Sequence, residues 1–405
     1  MIHRKLFYKL LEHLPKKEFS IITGARQTGK STLMKQLEEH CKEAGIPTVF
    51  INLENHIFLS DLNSNPLNLL RYLPDEKARV IVFVDEVQYL DNPSNFLKLI
   101  YDDHSDRVKI VATGSSAFYL DERFKDSLAG RKQIFHLLTC SFSESLEISG
   151  KGDLIDELNR IATVKGYKTT SLDYLRIEWE NFMIYGGYPG VATETNRQGK
   201  IDRLKEIRDS YVKRDIQDSG VANEGAFYQL FRILASQSGK LMNANELSST
   251  LRIKHETVNN YINILRKCYH VSLVKPFFRN LRKELVKMPK VFLLDNGMRN
   301  CLLDNFQSPA HRLDKGELWE NLAYRLLIDQ HGMDSVYFWR TSAGNETDFV
   351  LPDIEQPMAI EAKLDQNLIR PKKYRIFQEN YPDFSFRFLW LYPFDEDFFR
   401  RSSNL

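Results

Sequence analysis

The segment Gly24-Ala-Arg-Gln-Thr-Gly29-Lys30-Ser31 has the spacing GxxxxGK[ST] and is followed by Thr32. Glycines at both ends let successive backbone N–H groups turn inward, and a helix starting at the lysine adds partial positive charge, so the segment is built to cradle phosphates. Lys30 is set to reach the β- and γ-phosphates of ATP and Ser31 to ligate Mg2+, while Gly24, Ala25, Arg26, Gln27, Thr28, Gly29 and Thr32 complete the loop. A second apolar stretch, Arg79-Val-Ile-Val-Phe-Val84, ends in Asp85-Glu86. Two carboxylates at the end of a buried strand need a reason. Asp85 is placed to hold the Mg2+ shell, and Glu86 to orient or deprotonate an attacking water, as ATP hydrolysis requires. The bland alternatives are a chance glycine turn and a solvated acidic turn.

Thr113-Gly-Ser-Ser116 ends the next strand beside Asp85. The hydroxyl of Thr113 or of Ser115 is positioned to sense a γ-phosphate, unless the stretch is a plain β-turn. Leu128-Ala-Gly130-Arg131 precedes a further strand and sets Arg131 at a rim, either to reach a neighbouring subunit's nucleotide or as an ordinary surface arginine.

A third group lies near the C-terminus. Gly316-Glu-Leu-Trp-Glu320 opens a helix, and strands carry Glu346-Thr-Asp348-Phe-Val and Met358-Ala-Ile-Glu361-Ala-Lys363. Strand periodicity puts Glu361 and Lys363 on one face. With Asp348 on the adjacent strand, two carboxylates and an amine converge, a set able to bind Mg2+ and activate water against a phosphodiester. The set is similar to the PD-(D/E)xK nuclease motif, carried by Asp348, Glu361 and Lys363, with Glu320, or Glu317 one turn earlier, as the helical carboxylate. Thr347 stands where the motif has proline. The alternative is a scaffold without catalysis whose acids pair with Lys363 or Arg340.

The elements that must position these groups follow from periodicity. Strands at 19–23, 49–53, 80–85, 108–113 and 133–138, with a helix over 30–43, predict a parallel sheet with crossover helices. Residues 150–225 read as helical, broken at Gly186-Gly187 and Pro189-Gly190. Helices over 243–251 and 255–267 form a helix-turn-helix, the second burying Val258, Tyr261, Ile262 and Leu265 and presenting Thr257, Asn259, Asn260 and Asn263. A hairpin, 271–278 with 290–294, would be the wing, and Lys275, Arg279, Arg282, Lys283, Lys287 and Lys290 outnumber the single acid Glu284 along it. The module reads as DNA-contacting or, alternatively, as a protein-docking winged helix. The predicted fold class is therefore α/β: a P-loop parallel-sheet ATPase domain over 1–149, a helical lid or connector over 150–225, a winged helix-turn-helix over 226–300 and an α/β nuclease-like domain over 301–405.

Composition adds bounds. The 405 residues are 42% hydrophobic, and 56 Lys+Arg against 54 Asp+Glu give a net charge of +2, so any basic surface must be local. The longest apolar run, Val80–Val84, is far below the ~20 residues that span a bilayer, and no secretory leader is recognisable, so no membrane partner is expected. The four cysteines, Cys41, Cys140, Cys268 and Cys301, form no CxxC pair, which argues against a disulfide framework or a zinc site and for the cytoplasm.

The phosphate loop, Asp85-Glu86, Thr113-Gly-Ser-Ser, Gly130-Arg131, Cys140-Ser-Phe-Ser-Glu144, Tyr185-Gly-Gly-Tyr-Pro-Gly190 and Tyr211-Val-Lys-Arg-Asp-Ile216 together resemble the bacterial and archaeal AAA-type ATPases that carry a C-terminal domain of unknown function. The resemblance covers nearly the whole chain. It implies ATP and Mg2+ as cofactors, a sensor residue at Thr113, and an arginine finger at Arg131 with self-association. The expected function is ATP hydrolysis that rearranges a DNA-contacting winged helix and a nuclease-like domain. The rival is a regulatory nucleotide switch whose C-terminal modules only dock proteins.

Overall fold

The structure, a computed structural model, describes residues 3–74, 78–114, 128–164, 166–279, 288–341, 343–370 and 373–392, with the backbone alone at 211–215, 217, 218 and 366. The chain divides into two compact units, Met1–Thr139 with Lys267–Tyr269, and Cys140–Arg266 with His270–Leu405.

The first unit holds helix α1 (Lys5–His13), strand β1 (Phe19–Thr23), α2 (Lys30–Glu43), β2 (Thr48–Asn52), α3 (His56–Ser64), β3 (Val80–Asp85), α4 (Pro93–His104), β4 (Val108–Gly114) and β5 (Lys132–His136). The strands form one sheet in the order β2-β3-β4-β1-β5, every pair parallel. Parallel strands are covered on both faces, so their sequences read as apolar runs rather than alternations. In β3 the even positions Val80, Val82 and Val84 join the core under α4, while Ile81 and Phe83 join the core that includes Leu33 and Leu37 of α2.

The second unit continues with α5 (Phe142–Ile148), α6 (Gly152–Thr163), α7 (Leu172–Tyr185), α8 (Pro189–Ala192), α9 (Arg197–Asp218), α10 (Glu224–Ser236), α11 (Ala244–Leu251), α12 (His255–Lys267), β6 (Val271–Val274), β7 (Lys290–Leu293), α13 (Asn296–Leu302), α14 (Lys315–His331), β8 (Tyr337–Arg340), β9 (Glu346–Leu351), β10 (Met358–Lys363), α15 (Arg375–Asn380) and β11 (Ser385–Trp390). Strands β6 and β7 pair antiparallel, and a four-stranded sheet runs β11-β10-β9-β8 with only β10 and β11 parallel. The indole N–H groups of Trp179 on α7 and Trp319 on α14 donate to the carbonyls of Leu391 (2.8 Å) and Leu389 (3.3 Å), fastening the β11 side of the sheet to both helices. Gly186 ends α7 at φ +71°, and a Cβ there would stand 2.1 Å from the Asp295 carboxylate. That carboxylate caps α13 through Met298 N–H and also accepts from Gly187 N–H, and a Cβ on Gly187 would stand 2.1 Å from Cys140 O, so both positions of the pair require glycine.

The strands expected over 49–53 and 133–138 run over Thr48–Asn52 and Lys132–His136, and a larger departure falls in the hairpin. The hairpin strand expected over 271–278 stops at Val274, because the chain leaves β7 and pairs with β8: Phe338 N–H donates to Lys275 O (3.1 Å) and Phe277 N–H to Phe338 O (2.5 Å). Residues 280–287, which hold Arg282, Lys283, Glu284 and Lys287, lie outside the described residues, as does Ser115. Among the described residues, no helix is long and apolar enough to cross a membrane, and all four cysteines are buried and free of disulfides.

The end of α1 is locked to the sheet by a buried polar knot. His13 Nδ1 lies 2.7 Å from Ser20 Oγ and 3.2 Å from Lys109 Nζ, and that ammonium donates to the carbonyls of His13 (3.0 Å) and Lys16 (3.3 Å). Burial, helped by the charges of Lys109 and Lys16, pushes the His13 imidazole down to about 4. An unfolded histidine titrates near ~6.5, so between these values the unfolded chain binds the extra proton. Stability should therefore fall as pH drops from about 6.5 towards 4, by on the order of 1–3 kcal/mol, and His13→Gln should flatten this dependence. Urea titrations with equal pH slopes for both proteins would contradict it.

Candidate functional site

Two constellations carry chemistry, one in each unit. In the first, β1 delivers the loop 24–29 and α2 begins at Lys30 with Gly29 as its N-cap at φ +92°. Gly24 is dictated by space: a Cβ there would sit 2.1 Å from the backbone carbonyl oxygen of Leu137, whose N–H donates to Thr23 O (2.7 Å). Gln27 also takes a left-handed conformation, φ +58°. Thr28 Oγ1 donates to Ala25 O (2.9 Å), closing the turn from inside. Arg26 is half-buried, Gln27 and Thr32 are exposed and Ser31 is half-buried at the first turn of α2. Lys30 is buried, its ammonium donating to Gly24 O (3.0 Å) and Ala25 O (2.9 Å). Arg4, which no motif flags, grips the loop from behind, donating to Thr28 O (2.9 Å), Leu138 O (2.9 Å) and Thr139 O (3.2 Å).

Asp85 ends β3 in the next-but-one strand position from β1, and Glu86 follows at φ +59°. Thr113, at the end of the strand between them, donates its hydroxyl to Asp85 Oδ1 and accepts from Glu86 N–H (3.0 Å). Its hydroxyl thus fixes the acidic pair. Glu86 Oε2 accepts from Gln88 Nε2. Arg131 lies at the opposite end of the strands: β5, next to β1, runs in register with it from Phe19↔Lys132 to Thr23↔His136, roughly 15 Å of strand from the loop. Its guanidinium is bound within the chain to Asp102 on α4, at 2.6 Å and 3.4 Å.

In the second unit, a cavity of about 470 Å³ is lined by Glu320, Asp348, Glu361 and Lys363 together with Glu317, Glu346, Lys240 and Lys373. Asp348 and Glu361 finish the β9–β10 ladder with their side chains: Asp348 N–H donates to Glu361 Oε2 (3.2 Å) and Ala362 N–H to Asp348 Oδ2 (3.0 Å). Lys363 Nζ lies 2.7 Å from Glu361 Oε1 and 3.9 Å from Asp348 Oδ2. Lys373 (3.4 Å) and the Tyr374 hydroxyl (3.3 Å) also donate to Glu361 Oε1. Asp348 Oδ1 makes no hydrogen bond among the described residues. Burial, then the charges of Glu320 and Glu361, hold the Asp348 carboxyl well above its usual range, and burial raises that of Glu320 against the opposing pull of Lys290. Among the described residues no three His, Cys, Asp or Glu side chains form a ready metal-binding group, and Lys290 and Lys363 pair with Glu320 and Glu361. Glu317 is the outer of the two helical carboxylates, 3.6 Å from Lys240.

The lysine that faces Glu320 is Lys290, which the sequence places in the exposed basic run of the hairpin. It is instead 2% exposed, with Glu320 at 3.0 Å and Glu346 at 2.5 Å. Arg279 is likewise engaged, 2.6 Å from Asp383, and Arg340 pairs with Glu346 (3.1 Å), not with the Asp348 group. On α12, Val258, Tyr261, Ile262 and Leu265 are buried while Asn259 and Asn260 are exposed and Thr257 and Asn263 half-buried.

Residues 16–146 match the family described as AAA domain, 176–308 a domain of unknown function (DUF8612) and 315–404 another (DUF4143). Residues 16–146 are thus an AAA-type P-loop ATPase domain. Uncharacterized proteins of Haemophilus influenzae and Mycobacterium tuberculosis are similar to the chain, at 24% identity over 83% of this chain and 82% of the relative, and at 23% over 85% and 69%. Among solved structures, the Thermotoga maritima RuvB Holliday junction branch migration motor matches at 16% identity over 67% of this chain and 89% of its own, TM-score 0.34. AMPPCP-bound DnaA from Aquifex aeolicus matches at 16% over 65% and 87%, TM-score 0.28.

Two substitutions separate the loop's shape from its charge. Gly24→Ala should destabilise the first unit by at least about 1–3 kcal/mol, because the neighbour it meets is backbone and cannot rotate away. Lys30→Ala should leave the melting temperature close to wild type and abolish nucleotide binding in a fluorescent-nucleotide titration. Nucleotide affinity unchanged in Lys30→Ala would remove the ammonium from the site.

Proposed function

We propose that the chain is a Mg2+-dependent ATPase whose nucleotide cycle acts on a DNA-handling C-terminal half with a phosphodiester-cleaving pocket. In this reading the modules are those bounded at 149, 225 and 300, and the protein works in the cytoplasm. The observation that carries it is the convergence of Asp348, Glu361 and Lys363 with Glu320 on one cavity, in a chain whose first domain is a P-loop ATPase.

In the first unit the loop N–H groups and Lys30 bind the nucleotide phosphates, and Ser31 and Asp85 are the residues that would hold Mg2+. That ion, when bound, neutralises phosphate charge. Glu86 accepts the proton of the attacking water, and the buried Thr113 hydroxyl keeps Glu86 and Asp85 in place. Arg131 is too distant to serve its own loop, so its transition-state role belongs to a neighbouring subunit and requires release from Asp102.

In the second unit Asp348 and Glu361 would hold a divalent ion, for which Asp348 Oδ1 and the raised proton affinity of its carboxyl are the supporting features. A cation relieves the repulsion that otherwise keeps a proton there. Lys363 steadies the negative charge of the phosphate or hydroxide. The exposed asparagines of α12 and exposed Lys275 support contact with DNA backbone. The second reading, a nucleotide switch with a non-catalytic C-terminal half, is favoured by one observation: Lys363 already pairs with both acids.

The test uses purified full-length protein with labelled DNA of several forms. Glu86→Gln should retain ATP and lose roughly 10²–10⁴-fold in turnover, the range a positioned general base supplies. Asp348→Asn and Glu361→Gln should abolish DNA cleavage and leave ATP turnover within about twofold. No cleavage by wild type on any DNA form, with DNA leaving ATP turnover unchanged, would favour the switch. Arg131→Ala should lower turnover only at protein concentrations where subunits associate. Full turnover by a strictly monomeric preparation would contradict its trans role.

A further inference from the structure

The four-residue strand β7 sends one side chain, from outside the four-stranded sheet, to two of the acids that line the cavity. Lys290 is 2% exposed and its ammonium lies between Glu320 of α14 and Glu346 of β9, at 3.0 Å and 2.5 Å. Its backbone is held on both sides. It pairs with Val274 of β6 in register and forms a bridge to Leu241, while Met242 N–H donates to Pro289 O (2.8 Å) and Val291 N–H to Lys240 O (3.1 Å). The other strand of the hairpin runs on into its pairing with β8, so the lysine is delivered by a segment bound to the sheet that carries Glu346. Glu320 is fixed from the opposite side. The backbone of Gly239, at φ +81°, leaves only 2.9 Å between an added Cβ and Glu320 Oε2. The next residue on α14, Asn321, exchanges hydrogen bonds with both backbone groups of Leu293 on β7 (2.8 and 3.0 Å), locking the helix to the strand that bears Lys290.

These contacts separate the cavity's acids into two sets. Glu320 and Glu346 share Lys290, whereas Asp348 and Glu361 share Lys363, which is 18% exposed. Only the second cation is partly open to water and able to swing aside. We propose that Lys290 is a resident cation, a positioning residue that fills with its ammonium the place a second divalent ion would take between Glu320 and Glu346, so that the pocket accepts a single ion at Asp348 and Glu361. This rests on the pocket reading given above, and it moves Glu320 from the ion's ligands to Lys290's partners. An ammonium cannot be lost to chelators, so the acids it neutralises stay organised whether or not an ion is present.

The test counts Mn2+ bound to nucleotide-free full-length protein by equilibrium dialysis, with Asp348→Asn as the background for any ion held elsewhere. Wild type and Glu320→Gln should each hold one ion that Asp348→Asn loses. Lys290→Gln should hold two, and Lys290→Gln with Glu320→Gln one. A structural role alone would not raise the count. A count of one in Lys290→Gln, a count of two in wild type, or loss of the ion in Glu320→Gln would overturn the proposal. If wild type holds no ion in the pocket, the Asp348–Glu361 reading fails by itself. The count in Lys290→Gln then decides: one ion that is lost with Glu320→Gln supports the resident cation, and none overturns it. Should Lys290→Gln fail to fold, Glu320→Gln decides alone, one ion supporting and none overturning the assignment.

Discussion

Like charges cannot be gathered away from water unless opposite charge is gathered with them, and the second unit is organised around that constraint. Glu320, Glu346, Asp348 and Glu361 line one cavity, and Glu361 is fully buried. Each unpaired carboxylate at such depth costs several kcal/mol, so the cations must be supplied by elements that cannot drift. Lys363 comes from the strand that carries Glu361, and Lys290 from a hairpin sewn to α14 by Asn321 and to β8 by residues 275–277. Trp179 and Trp319 fasten the far side of the same sheet.

The first unit meets a related problem by different means. In the proposed reading its loop receives a highly charged ligand, for which it offers backbone dipoles and one ammonium. Lys30 rests on the carbonyls of Gly24 and Ala25, partners weaker than the phosphate oxygen that the proposed function would bring. The shape of the loop depends on Gly24 passing within contact of the Leu137 carbonyl, and Arg4 binds the outer carbonyls of the same loop and strand end. In the proposed reading, backbone and ammonium serve an exchangeable nucleotide, while fixed ion pairs hold the pocket's acids together.

What was legible in the sequence follows the same physics. β1, α2 and β3 can be read to the residue, because buried parallel strands are apolar on both faces and end sharply at glycine or at acid. Period-two spacing brings Glu361 and Lys363 to one face, and the structure gathers them with Asp348 and Glu320 on a single cavity. The role of Lys290 was not legible. In a linear run of basic residues nothing distinguishes the one lysine that faces inward, and its partners lie 30 and 56 positions away in the chain. Arg4 and Tyr374 escape for the same reason, since their contacts are long-range and belong to no motif. The end of β6 was missed because pairing of residues 275–277 with β8 depends on a tertiary neighbour that local pattern does not encode. Thr113 was read as a sensor from its place at a strand end, and its bond to the acidic pair becomes visible only when β3 and β4 are side by side.

The central claim is that one chain keeps two separate ion sites, one tied to nucleotide and one not. Anomalous diffraction from crystals grown with Mn2+, with and without a non-hydrolysable ATP analogue, tests it directly. The account predicts a peak beside Ser31 and Asp85 only when the analogue is present, and a second peak between Asp348 and Glu361 in both crystals, with none between Glu320 and Glu346. A single, nucleotide-dependent peak with the Asp348–Glu361 gap empty would contradict it.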